Sequence, residues 1–288
     1  MQSPLIVGID DSEPSWHALD WAIAEAGYHE VPLRLVHVSE SYQGGMPPDP
    51  GKVPPPEVLA ERVISTATRR VAESGSTVEV STLKVSGDPV QALRHEGESA
   101  FAIVVGTRGR GGVTGMLLGS TSLGVTAHAK CPVIVVRGGA QNIRGEFSRV
   151  TLGVGVGGES SAATAFALRE ADVRGAELYA LHAWHRPARD LPGVQRMNGD
   201  SSDPEEQSAE RTLGDALAGA SRNHPGVLVR QETAEGHTRS ALLDASAASD
   251  LLVVGAHRRH GAVGLQLGLV SHALVHHSTC PVAVVPEG

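Results

Sequence analysis

Residues 106–122 hold the densest set of groups that could do chemistry. They read Gly106-Thr107-Arg108-Gly109-Arg110-Gly111-Gly112, then Val113 to Leu118, then Gly119-Ser120-Thr121-Ser122. The segment leaves an apolar run, Phe101 to Val105, and enters a stretch that reads as a helix. Glycines at such a place let the backbone approach a ligand closely and turn its N–H groups toward it. Gly119 to Ser122 would open the helix, where unpaired N–H groups and the helix dipole favour an anion such as phosphate. Ser and Thr hydroxyls add donors, and Arg108 and Arg110 add positive charge. A flexible connector closing a strand fits the glycine composition about equally well.

The elements that must position this loop occur twice. Cys131-Pro132-Val133 through Val136 recurs as Cys280-Pro281-Val282 through Val285 at an offset of 149, as do Val104-Val105-Gly106 and Val253-Val254-Gly255. Earlier the offset is 145, pairing Gly8 with Gly153, Glu25-Ala26 with Glu170-Ala171 and His37 with His182. One four-residue insertion between His182 and Glu210 reconciles the two offsets. The chain is thus a tandem duplication, with domains expected at residues 1–140 and 147–288.

Each unit alternates short Val/Ile/Leu runs with helical patterns. In the first, strands are expected at Pro4–Asp10, Leu33–Val38, Thr77–Val85, Phe101–Val105 and Val133–Val136. In the second they are expected at Val150–Val154, Leu178–Ala183, Val227–Gln231, Leu251–Val254 and Val282–Val285. Alternation of this kind predicts an α/β fold: two doubly wound, five-stranded parallel sheets with right-handed crossovers. Asp10, Asp11 and Ser12 are all able to cap the first helix. The segments Ser39–Pro56 and His185–Glu206, broken by proline, read as flaps over the carboxyl ends of the strands, where open α/β sheets bind ligands.

Composition narrows the function. Hydrophobic residues are 41% of the chain and aromatics 3%, so its cores are aliphatic. A net charge of −8 argues against non-specific nucleic-acid binding. No leader pattern and no apolar run of about 20 residues is present, so the chain is expected to be cytoplasmic with no membrane contact. Two cysteines make no disulfide framework. If the last strands of the two units pair antiparallel, Cys131 and Cys280 fall at opposite ends as buried, inert thiols.

The spacing Gly106-x2-Gly109-x9-Gly119-Ser120 resembles the nucleotide-binding signature of the universal stress protein family. Ile6-Val7-Gly8-Ile9-Asp10-Asp11-Ser12 and Cys131 to Val136 resemble that family's first and last strands, and the likeness covers essentially the whole chain. It implies a Rossmann-like domain of strand order 3-2-1-4-5 and pairing of neighbouring units through their last strands, within the chain or in a homodimer. It also implies binding of ATP, with Mg, by a stress-response regulator. Carried over by position, Gly8, Ile9 and Asp10 would flank the adenosine, and the Val38 backbone would meet the adenine. Val105, Gly106, Thr107, Arg108, Gly109, Arg110 and Gly112 would line ribose and phosphates. Gly119, Ser120, Thr121 and Ser122 would hold the phosphate tail.

The second copy departs from this pattern. Gly153, Gly255, Gly268 and Ser271 match Gly8, Gly106, Gly119 and Ser122, but Gly155 replaces Asp10, Arg258 replaces Gly109 and Leu269 replaces Ser120. A weakened or empty second site is expected. His272 and His276 stand at i, i+4 on the last helix, a spacing that binds metal, but no third ligand accompanies them. A solvated helix face or a pH sensor explains them as well, and no metal site is assigned to the protein alone. No GxxxxGK[ST] or GxSxG motif occurs, and no catalytic residue is assigned. At most slow ATP hydrolysis is expected. The rival readings are a partner-binding module with a vestigial nucleotide site, and a weak ATP hydrolase.

Overall fold

The computed structural model describes residues 2–39, 55–109, 118–155, 161–185, 204–257 and 267–287. The first half runs β1 (Leu5–Gly8), α1 (Glu13–His29), β2 (Leu33–Ser39), α2 (Pro56–Glu73), β3 (Val80–Ser86), α3 (Pro89–Glu96), β4 (Ala102–Gly106), α4 (Ser120–His128) and β5 (Val133–Val136). A short helix, α5 (Ala140–Ile143), joins it to the second half. That half runs β6 (Arg149–Gly153), α6 (Ala162–Arg174), β7 (Glu177–Trp184), α7 (Pro204–Ala218), β8 (Val229–Glu235), α8 (Thr238–Ser246), β9 (Leu251–His257), α9 (Leu269–His277) and β10 (Val282–Glu287).

All ten strands form one sheet, in the order β3-β2-β1-β4-β5-β10-β9-β6-β7-β8. Each half is parallel, with the expected order 3-2-1-4-5. The halves join through an antiparallel pairing of β5 with β10, in which Val282 faces Val135 and Val284 faces Val133. These strands would otherwise be bare edges, and their mutual pairing removes both. The inner strands are buried on both faces, which is why they read as unbroken apolar runs and not as alternating ones. Leu5 and Val7 point to one layer, with α1, α2, α6 and α7, while Ile6 points to the other, with α3, α4, α8 and α9. Each layer's core is continuous across the junction.

Element boundaries differ from the sequence expectations where hydrogen bonding outruns hydrophobicity. β3 begins at Val80, not Thr77, and β8 begins at Val229, not Val227, because pairing with β2 and β7 starts there, opposite Leu33 and Leu178. The run through β9 and β10 extends past Val254 and Val285, since these strands keep pairing to His257 and Glu287. The linker turns at Gly138, whose φ is +101° and where a Cβ would fall 2.0 Å from the Thr279 carbonyl oxygen. Only glycine fits that approach. Buried Asn142 then donates from Nδ2 to the Ser249 carbonyl at 2.8 Å, docking the linker on the second half. Cys131 and Cys280 are buried free thiols, and the register puts them at opposite ends of the β5–β10 pair.

Candidate functional site

The strand order reverses direction between β1 and β4, which opens a crevice at their carboxyl ends. The loop after β1 is tied down from two sides. Ile9 N–H donates to the Val36 carbonyl at 2.9 Å, and the buried His37 Nδ1 bonds the Ile9 carbonyl at 2.8 Å. Asp11 adopts φ +68°, a left-handed conformation that aspartate tolerates better than most residues. Ser12 caps α1, its hydroxyl accepting the Ser15 N–H at 3.3 Å. Asp10 therefore does not cap the helix. Its Oδ1 accepts the Ser12 N–H at 3.2 Å and lies 2.6 Å from Ser12 Oγ.

Ser12 Oγ also lies 3.1 Å from the Arg108 carbonyl, linking the loop after β1 to the loop after β4. The two loops meet at Gly109, where a Cβ would stand 2.1 Å from Asp10 Oδ2. This is a close approach of carboxylate to backbone, and it explains a glycine at that position. Gly106 is less forgiving, because its Cβ would meet backbone, the Pro14 carbonyl oxygen at 2.4 Å. Gly119 N–H donates to the Thr107 carbonyl at 2.7 Å, closing the loop at the start of α4. No side chain caps α4, which leaves its first-turn N–H groups without an intrahelical partner beside the exposed Ser120 and half-buried Thr121. Ser122 is buried, and its hydroxyl donates to the Gly106 carbonyl at 2.7 Å. It anchors α4 to β4.

The structure thus brings Gly8, Ile9, Asp10, Val105, Gly106, Thr107, Arg108, Gly109, Gly119, Ser120 and Thr121 to the carboxyl ends of β1 and β4 and the start of α4. Val38 is half-buried near the end of β2, beyond the last residue of β2 that pairs with β1. Arg110 and Gly112 lie outside the described residues. Sequence reasoning missed His37, whose signal was its recurrence as His182. That histidine makes the same 2.8 Å bond, to the Val154 carbonyl.

The second crevice lacks these contacts among the described residues. Gly155 stands in the place of Asp10 without a side chain, and among the described residues no atom lies within 4 Å of where its Cβ would be. Gly268 precedes α9 without a side-chain cap, and Leu269 beside it is 85% exposed. Ser271 is buried as Ser122 is. Gly153 packs against Leu242, and Gly255 packs against the Glu287 carboxylate. That carboxylate accepts the first N–H groups of α6, from Ala162 at 3.0 Å and Ala163 at 3.1 Å. Arg258 lies outside the described residues.

The universal stress protein family profile matches residues 1–137 and again 146–286. The chain belongs to the universal stress protein family. A universal stress protein of Mycolicibacterium smegmatis is 33% identical over 289 residues, covering 98% of this chain and 96% of that one. Universal stress protein Rv2005c of Mycobacterium tuberculosis is 31% identical over 297 residues, covering 99% and 98%. The crystal structure of a universal stress protein from Archaeoglobus fulgidus aligns over the full length of both chains at a TM-score of 0.73 and 20% identity. That likeness establishes the shared tandem fold. Among the described residues, no helix of this universal stress protein is long and apolar enough to cross a membrane.

Proposed function

We propose that this universal stress protein binds ATP, accompanied by Mg, mainly in the domain formed by residues 1–140. The domain of residues 147–288 contributes the fold and a weakened site. Bound nucleotide makes the chain a nucleotide-dependent regulator, with ATP hydrolysis slow at most. The observation that carries this reading is the junction of Asp10, Ser12, Arg108 and Gly109. It brings a carboxylate suited to ribose hydroxyls within reach of a glycine loop and an uncapped helix start suited to phosphates. Gly155 removes the carboxylate and Leu269 removes a hydroxyl donor from the second crevice, whose helix start stays uncapped.

The test compares nucleotide co-purifying with the full-length wild type and with Gly109→Arg, read by mass spectrometry of the released ligand. That variant copies Arg258 into the first copy, where any side chain collides with Asp10. Expected is ATP in the wild type and none in the variant, with titration of added ATP giving one strong site per chain. Two equal sites, or ATP retained in Gly109→Arg, would overturn the reading.

A further inference from the structure

Where α1 of the first half packs on α6 of the second, four ionisable side chains are buried together. Glu170 and Arg174 are the repeat equivalents of Glu25 and His29. The Glu25, His29 and Glu170 side chains are 1%, 4% and 0% exposed. Arg174 binds an outer oxygen of each carboxylate, Glu25 Oε2 and Glu170 Oε2, the latter at 3.2 Å. That grip turns the other oxygen of each carboxylate toward His29. Nε2 of His29 lies 2.9 Å from Glu170 Oε1 and 3.5 Å from Glu25 Oε1, and all three atoms lie within 4.8 Å of one another. Glu25 Oε1 is buried without a hydrogen-bond partner. A buried carboxylate oxygen left unsatisfied is uncommon and calls for an explanation.

We infer that Glu25, His29 and Glu170 form a binding site for a divalent first-row metal ion such as Zn2+, bridging the two halves of the chain. Two ligands at zinc's bond lengths, about 2.0–2.2 Å, stand about 3.0–3.6 Å apart for angles between a right angle and trigonal. The separation of 3.5 Å falls within that span, that of 2.9 Å lies at its lower edge, and all three donor atoms lie within 4.8 Å of one another. One imidazole and two carboxylates suit zinc and its neighbours better than Mg2+ or Ca2+, which prefer all-oxygen shells. Arg174 supplies the outer hydrogen bonds that orient ligating carboxylates. Phe101, its ring centre 4.5 Å from that of His29, packs against the imidazole. On binding, the ion takes the place of the proton on His29 Nε2, which leaves to solvent, and satisfies Glu25 Oε1. Because the ligands come from α1 and α6, 141 residues apart between His29 and Glu170, the ion would cross-link the two domains. The site is independent of the nucleotide crevice.

The experiment uses the full-length chain, stripped with chelator and dialysed against ZnCl2. Metal content is measured by elemental mass spectrometry, Zn2+ affinity by titration, melting temperature by calorimetry, and ligand geometry by the visible absorption of the Co2+ form. Expected are one retained Zn2+ per chain, a raised melting temperature, and Co2+ bands of a low-coordinate site. His29→Phe keeps a ring against Phe101 and should lose the ion and the bands. Should that variant not fold, Glu25→Gln serves, and should weaken binding by at least the roughly 10–100-fold that losing an outer partner costs. The double variant His272→Ala/His276→Ala, which removes the paired histidines of α9, should retain the full stoichiometry. No retained ion, binding unaffected by both His29→Phe and Glu25→Gln, or binding lost with the α9 histidines would overturn the proposal.

Discussion

Gly106→Ala tests the geometry that joins β4 to α1. The added methyl would lie 2.4 Å from the Pro14 carbonyl oxygen, 2.6 Å from its carbon and 3.0 Å from Pro14 Cβ. An ordinary carbon–oxygen contact is about 1 Å longer, and the obstacle is helix backbone, which cannot swing aside as a side-chain tip could. The first turn of α1 must lift off β4. Overpacking of this kind costs about 1–3 kcal/mol, and each kcal/mol moves the melting point of a domain this size by about 2–4 °C. A loss of about 2–12 °C is expected by calorimetry. The same displacement pulls Ser12 from the Arg108 carbonyl, so nucleotide affinity should fall with stability. Gly155→Ala is the internal control. Among the described residues it meets no atom within 4 Å, and it has no left-handed φ, so it should be neutral or stabilising by about 0.4–1 kcal/mol through the unfolded chain. Gly106→Ala unfolding at the wild-type midpoint, or Gly155→Ala destabilising as much, would refute the argument.

Arg174→Met strips both buried carboxylates of a shared cation, and denaturant unfolding should show a loss of about 3–5 kcal/mol, whereas an unchanged midpoint would deny the clasp its structural weight. Ile134→Ala, at the fully buried β5–β10 seam opposite Ala283, should cost about 2–5 kcal/mol by the same measurement; a loss below 1 kcal/mol would mean the seam carries little of the stability. Burial pushes the Cys131 thiol up to about 11 and the Cys280 thiol up to about 12, so neither should react with a thiol reagent at pH 7.5 until the protein unfolds. Because these folded values lie above the ordinary thiol value, the associated stability is intact below about pH 9. It drains as pH rises through 11 to 12, and a melting curve flat across that window in the wild type but not in a double Cys→Ala variant would contradict it.

The ionised cluster between α1 and α6 has its own electrostatic logic. Burial pushes Glu25 up to about 7 despite the attraction of Arg174, and the neighbouring Glu170 carboxylate adds to the rise. Burial also works against the charged form of His29. The hydrogen bond that His29 donates to Glu170 and the nearby Glu25 carboxylate outweigh this effect and raise the imidazole to about 9. For Glu170, burial is overcome by the His29 bond and by Arg174, so that carboxyl is held below its usual range. The two carboxylates therefore divide their roles, with Glu170 carrying the firm negative charge and Glu25 the buried, unsatisfied lone pair.

The duplication and the parallel α/β order were legible in the chain itself. They depend on local signals: apolar runs for strands buried on two faces, glycines where backbones touch, and a repeat whose offset changes once. The glycine loop announced its own position, because a glycine spacing is a statement about backbone approach. Other features needed the folded molecule. Asp10, Asp11 and Ser12 are equally good caps by type, and only the left-handed turn at Asp11 gave the cap to Ser12 and freed Asp10 to face Gly109. Glu25 and Glu170 served in the sequence only as markers of the repeat. Their meeting with His29 and Arg174 arises because antiparallel pairing of β5 with β10 sets α1 against α6 across a pseudo-twofold axis. Residue type and spacing determine what can happen within one strand or turn. Which charges are buried together, far apart in the chain, is decided by how the two copies pack.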